Sequence, residues 1–154
     1  MLYFIAVCLL FIKMGSAEEP FRMDFNGGLQ PGTLVTVHAV IPENSQRFAI
    51  EFHRDPSNIP VHINARFDYT KKLYTICNTM INGKWGTEQE THGNFPFKHG
   101  RPSKIDIDCE EEEFKMYVDN KLYLTYKPRT GPLRSIKYLT VMGATTVMVV
   151  CAPK

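Results

Sequence analysis

Three polar residues at alternate positions, His62, Asn64 and Arg66 within Val-His-Ile-Asn-Ala-Arg-Phe (61–67), have the types and spacing to do chemistry. Successive side chains of an extended chain point to opposite faces, so these three share one face while Val61, Ile63, Ala65 and Phe67 share the other. Solvated strands are usually covered by small hydroxyls or lysines. This row instead aligns an imidazole, a carboxamide and a guanidinium. Further on, Trp-Gly-Thr-Glu-Gln-Glu (85–90) brings the only tryptophan of the chain and two carboxylates. If that stretch continues as a strand, Glu88 and Glu90 share a face, and Arg66 can lock Glu88 in a charge-assisted pair that fixes the direction of the spare donors and acceptors. A flat indole beside such a lattice suits the apolar C–H face of a pyranose. The sugar hydroxyls, each both donor and acceptor, would then bond His62, Asn64, Arg66 and Glu88. The chemistry expected is saccharide binding on an open sheet face.

Positioning that row requires strands, and the sequence supplies them. Turn residues punctuate the chain beyond Pro20 at short intervals: Pro31-Gly32, Pro42-Glu43-Asn44, Asp55-Pro56-Ser57-Asn58, Asn82-Gly83, Gly100, Asp119-Asn120, Gly131-Pro132 and Gly143. Between them lie β-rich runs, among them TLVTVHAVI, RFAIEFH, PVHINARF, LYTICN, KWGTEQE, KIDIDC, EFKMYVD, KLYLTY, IKYLTVM and TTVMVVC. No helical period is sustained over ten residues outside the amino terminus. Many short strands with little helix predict an all-β sandwich or barrel of antiparallel hairpins. Asn82-Gly83 and Asp119-Asn120 are expected tight hairpin turns, because these residues tolerate positive φ. Glu110 to Glu113 is expected to be a solvated turn. With 154 residues and 44% hydrophobic content, the chain can build one domain with a sizeable core and not two.

A formal charge of +2, with no basic run beyond Lys71-Lys72, supplies no surface to neutralise phosphates, so nucleic acid is not an expected partner. Leu2 to Ile12 form an unbroken apolar run shorter than the ~20 residues a bilayer span needs, and Gly15-Ser16-Ala17 follow. Residues 1–17 therefore read as a signal peptide, residues 18–154 as the mature domain, and the protein as secreted. The run has no lysine or arginine ahead of it, so an uncleaved apolar anchor or a buried strand are the other readings, with a cytoplasmic protein exported by another route as the alternative localisation. Removing residues 1–17 takes Lys13 and no acid, and leaves a net charge of +1. It also removes Cys8, leaving the widely spaced Cys77, Cys109 and Cys151. These have no metal-finger spacing and are expected to act as small buried hydrophobes. The chain has no Asn-x-Ser/Thr acceptor for N-glycosylation.

From about Pro20 to Lys154 the chain resembles a galectin carbohydrate-recognition domain. The resemblance rests on His62-x-Asn64-x-Arg66, Cys77-Asn78, Trp85-Gly86-Thr87-Glu88 and Asn-Phe-Pro-Phe (94–97), in that order and spacing, with GGLQPGTLVTV, RFAIEF and YVDNKLYLTY at the flanks. It implies a jelly-roll sandwich of two antiparallel sheets that binds β-galactosides without a metal or other cofactor. It also implies that His62, Asn64 and Arg66 bond galactose hydroxyls, Trp85 stacks on the sugar ring, and Asn78 and Glu88 complete the pocket. The ligands expected are galactose-containing glycans of glycoproteins or glycolipids, and a homodimer through terminal strands is expected from single-domain relatives.

Departures from the family pattern are specific. Ala65 stands where the family usually has proline. Glu90 replaces the arginine that usually ends the tryptophan motif, and Tyr69 stands where a loop acid commonly pairs with that arginine, so both partners have changed together. Glu88 and Glu90 would then face each other as like charges roughly 7 Å apart on one strand, with Lys71 or Lys72 as potential compensation. Glu90 becomes a candidate specificity residue. Arg47, just before the FAIEF run, is a second candidate if the glycan extends. Three functions compete: a lectin for galactosides, a galectin fold that has lost ordinary galactoside binding and works through protein contacts, and a glycoside hydrolase using Glu88 and Glu90. Retaining hydrolases hold their carboxyls about 5–5.5 Å apart across the bond they cleave. Adjacent outward positions on one strand cannot flank a glycosidic bond, and an arginine partner would keep Glu88 ionised. The expectation is therefore a non-enzymatic protein.

Overall fold

Alternation with a period of two, apolar to one side and polar to the other, has one packing solution on this scale: two sheets with their apolar faces together. The computed structural model, which describes residues 9–14, 16–68 and 72–154, has this form. Its strands are β1 (Leu9–Met14), β2 (Phe21–Asp24), β3 (Thr33–Val40), β4 (Arg47–His53), β5 (Ile59–Arg66), β6 (Tyr74–Ile81), β7 (Lys84–Trp85), β8 (Gln89–His92), β9 (Pro102–Cys109), β10 (Phe114–Val118), β11 (Lys121–Tyr126), β12 (Tyr138–Met142) and β13 (Thr146–Pro153). One 3-10 turn, Leu133–Ser135, is the sole helical element among the described residues.

One sheet has the order β1-β13-β3-β9-β10-β11, and the other β2-β12-β4-β5-β6-β7 with β8 also on β6. All pairings between named strands are antiparallel. The two inner faces meet in one core. Val35, Val37, Ile105, Ile107, Val147 and Val149 come from the first sheet, and Phe48, Ile50, Phe52, Val61, Ile63, Leu139 and Val141 from the second. Phe52 and Phe114 meet edge to face across the layers at 5.1 Å. Phe95 and Phe97 of the Asn-Phe-Pro-Phe stretch close one end against Phe67 and Phe48. Val61, Ile63, Ala65 and Phe67 are all buried, so the alternation in β5 sorts its faces as the sequence predicts.

Both expected hairpin turns form. Asn82 and Gly83 have φ of 50° and 76°, and Asp119 and Asn120 have 47° and 67°, the pair of positive values that a two-residue hairpin of matching twist demands.

Two stretches differ from expectation, and a third carries a strand that leaves the signal-peptide reading open. The run Lys84–Glu90 is not one strand: β7 pairs Trp85 with Met80, the chain leaves the sheet at Gly86–Glu88, and β8 rejoins lower on β6 with Glu90 opposite Ile76. The detour is held by the Gly86 N–H, which donates to the Thr79 carbonyl at 3.0 Å. The acidic turn 110–113 is not merely solvated. Glu110 pairs with Lys154 at 2.8 Å and Glu111 accepts the Leu133 N–H at 3.1 Å. Finally, Leu9–Met14, inside the segment read as a signal peptide, form an edge strand on β13. Cys8 and the rest of that segment's first eight residues, together with Tyr69 and Lys71, lie outside the described residues.

Candidate functional site

Register builds the site. Across β4, β5 and β6, Glu51 lies opposite His62 and His62 opposite Asn78; Ala49, Asn64 and Ile76 form the next rank, and Arg47, Arg66 and Tyr74 the last. All face away from the core. All but Tyr74 line a cleft of about 330 Å³ that also takes in Trp85, Gly86 and Glu88. Past Arg47 and Arg66 the cleft opens into a groove of about 960 Å³ bounded by Ser45, Asp68 and Tyr74. The structure thus brings together His62, Asn64, Arg66, Asn78, Trp85, Glu88 and Arg47. Glu90 is outside this lining, on β8.

Each side chain is held for a physical reason. Trp85 is 45% exposed, because β7 is a two-residue edge strand with nothing packed outside it. Its ring stands 4.7 Å from that of His62 at 52°, one wall of the cleft. Asn64 is buried with its Oδ1 unpaired, and the buried Nε of Arg66 has no partner among the described residues. A buried carbonyl oxygen and a buried N–H left unpaired cost free energy that a hydroxyl able to serve both would recover.

The expected ion pair between Arg66 and Glu88 is not formed among the described residues. Its premise was a continuous strand, and the detour at Gly86–Glu88 takes Glu88 off the sheet. The same break undoes the same-face spacing of Glu88 and Glu90. Glu90 instead pairs with His92 at 2.7 Å, and His92 stacks on Tyr74 with ring centres 5.3 Å apart. Lys72 is exposed and forms no ion pair among the described residues, so it does not compensate Glu90.

Asn78 lines the cleft but mostly serves the protein. Its Nδ2 donates to the Gly86 carbonyl at 2.8 Å, and its Oδ1 accepts from the Thr79 N–H at 2.8 Å and from Arg129 Nη1 at 3.0 Å. Both lone pairs are used, and one N–H remains for a ligand.

Sequence reading missed three contributors. Arg129, on the loop after β11, reaches across to Asn78 and donates through Nη2 to the Thr87 carbonyl at 2.6 Å, clamping the tryptophan loop. A Cβ at position 86 would lie 2.6 Å from Arg129 Nη1, so only glycine leaves the clamp its place. No sequence signal marks a contact over 51 residues. Glu51 and His53 were legible in principle, since Arg47, Ala49, Glu51 and His53 alternate onto one face once β4 is laid beside β5. Glu51 Oε1 lies 2.7 Å from His62 Nδ1 and Oε2 lies 3.1 Å from His53 Nε2. Burial pushes the Glu51 carboxyl up, but the hydrogen bonds and charges of His53 and His62 outweigh it and hold the pKa down at about 2.

An antiparallel sandwich whose polar sheet face carries a saccharide-sized cleft with an exposed indole at its rim is built as a sheet-face lectin. The family model described as galactoside-binding lectin matches residues 20–151, and the chain belongs to that family. It is 32% identical over 133 residues to galectin-3 of Cricetulus longicaudatus, covering 86% of this chain and 54% of that protein. The chain therefore spans about half the length of the curated relatives it matches. Among solved structures, toad ovary galectin in complex with thio-digalactose superposes with a TM-score of 0.77 at 26% identity, over 86% of this chain and 97% of that one. Xenopus laevis galectin-Ib gives 0.76 at 27% identity, over 86% and 99%. Galectins bind sugars without chemical turnover, so Glu88 and Glu90 belong to a lectin domain and not to a hydrolase.

Proposed function

We propose that the cleft on β4–β6 binds β-galactoside-containing glycans of glycoproteins or glycolipids, with His62, Asn64, Arg66 and one Asn78 N–H bonding the sugar hydroxyls and Trp85 stacking on its apolar face. The observation that carries this reading is the pairing of unpaired, buried hydrogen-bonding atoms on Asn64 and Arg66 with an exposed indole at the same cleft. The toad relative whose fold this chain shares was solved with thio-digalactose, a ligand of the same class. Glu90 resets the second sugar. Where the family usually offers an arginine, this chain offers a carboxylate paired with His92, which disfavours anionic substituents and suits hydroxyl donors. Arg47 and Arg66 flank the groove into which a longer glycan would run. Secretion through the apolar amino-terminal segment and a homodimer through terminal strands complete the proposal.

A second reading has one observation in its favour: Arg66 has no acidic partner among the described residues, which fits a galectin fold that has given up galactosides for protein contacts. Titrating the full chain with lactose while following Trp85 fluorescence separates the two, with His62→Ala as control. Saturable change abolished in the control supports the lectin. An unchanging spectrum from a folded protein removes the galactoside reading.

A further inference from the structure

Beside His62, at the wall of the cleft, stands a carboxylate clamp. The Glu51 side chain is 12% exposed and each of its oxygens serves a different histidine, His62 Nδ1 at 2.7 Å and His53 Nε2 at 3.1 Å. His53 is fixed in turn. Its Nε2 also lies 2.9 Å from the Thr140 hydroxyl, and its ring stacks on Tyr138 at 4.5 Å and 9°. The Arg22 guanidinium caps the other side of that tyrosine at 3.7 Å. Neighbouring strands thus pin the carboxylate between two imidazoles.

We propose that Glu51 is a positioning residue of the saccharide site: it fixes His62 as the tautomer protonated at Nδ1, so that Nε2 is offered to the ligand as an acceptor and selects a donating hydroxyl. An ionised carboxylate has lone pairs only, so the ring nitrogen 2.7 Å away must carry the proton. The other tautomer would set a nitrogen lone pair against an oxygen lone pair at that distance. Turning Glu51 away to relieve this would break its bond to His53, whose Nδ1 is already buried without a partner. His62 Nε2 has no partner among the described residues and is the atom left for the cleft. The identity of the ligand rests on the galactoside reading above, whereas the tautomer does not.

The test is a two-bond ¹H–¹⁵N spectrum of the labelled full chain in mildly alkaline solution, with His62 assigned by the signals lost in His62→Gln. The wild type should place the proton on Nδ1. Glu51→Leu, which removes the acceptor, should move His62 to the Nε2–H form and weaken lactose binding by about three- to tenfold, the worth of one hydrogen bond. Glu51→Gln, near-isosteric and able to accept only when its amide oxygen faces the ring, should give both tautomers and an intermediate affinity, and it guards against a Leu variant that fails to fold. A wild-type His62 protonated at Nε2, or one that keeps its Nδ1 proton in folded Glu51→Leu, overturns the proposal. Absence of lactose binding by the wild type sinks the galactoside reading instead, and the spectrum still decides the tautomer.

Discussion

An indole in solvent and an amide under the sheet surface sit side by side at the cleft and answer to different forces. Replacing Trp85 by alanine removes a half-covered ring that packs on His62 at the sheet edge and lies outside the core, so stability should fall by about 1 kcal/mol, while lactose binding loses about 1.5–3 kcal/mol as the stacking surface goes. Asn78→Ala should cost more stability. It orphans the Thr79 N–H and the Gly86 carbonyl, at about 1–3 kcal/mol, and loosens the tryptophan loop as well. Urea unfolding read against calorimetric lactose titration distinguishes the two variants. Glu51 carries the clearest pH signature. Its carboxyl is depressed in the fold from an ordinary 4.5 to about 2, so its contribution is present above pH 5 and is lost as pH falls through that interval to 2. Denaturant unfolding of the wild type should lose up to about 3 kcal/mol across that window, and Glu51→Gln should flatten the curve there. An equal slope in both proteins would show that other carboxylates carry the acid sensitivity.

Strands were legible wherever a period of two ran uninterrupted, as in β3, β5 and β9, because burial on one face leaves no other register. The polar row of β5 was legible for the same reason. Extrapolating that period through Gly86 failed, since a glycine offers no side chain to hold a register and a nearby guanidinium occupies the space a Cβ would fill. The loop that shapes the cleft is thus set by a tertiary contact, Arg129 on Asn78 and Thr87, that no local pattern encodes. Arg129→Ala tests this at the scale of the β7–β8 link. The side chain is exposed and its loss leaves the core intact, so unfolding free energy should shift by about 1 kcal/mol or less, while lactose affinity falls several-fold and the Gly86 and Glu88 amides exchange faster with deuterium. Unchanged exchange at both amides would mean that the Thr79 carbonyl alone holds the link.

At the scale of the molecule, β1 is the edge strand of its sheet. Leu10, Ile12 and Met14 lie exposed on the same face as Val150, Met148 and Thr146, and Phe11 is 40% exposed. It covers the edge of β13, whose backbone groups would otherwise form an open row for another strand. A chain of residues 18–154 should therefore fold as the full chain does and unfold in a single transition, yet associate through the bared β13 edge as concentration rises, where the full chain does not. Sedimentation of both at matched concentrations checks the second claim, and monomers throughout would remove the edge as a dimer contact. The thiols check the first. Cys77, Cys109 and Cys151 are all buried, burial pushes Cys77 up to about 12 and, joined by the charges of Cys151 and the nearby acids, raises Cys109 as well. A thiol reagent should therefore leave Cys77, Cys109 and Cys151 unmodified in both chains in native buffer, and reach all three in the shorter one only as denaturant unfolds it. Rapid labelling of 18–154 in native buffer would show that β1 is needed to keep the sandwich closed over Cys151, the residue that pairs with its first strand position.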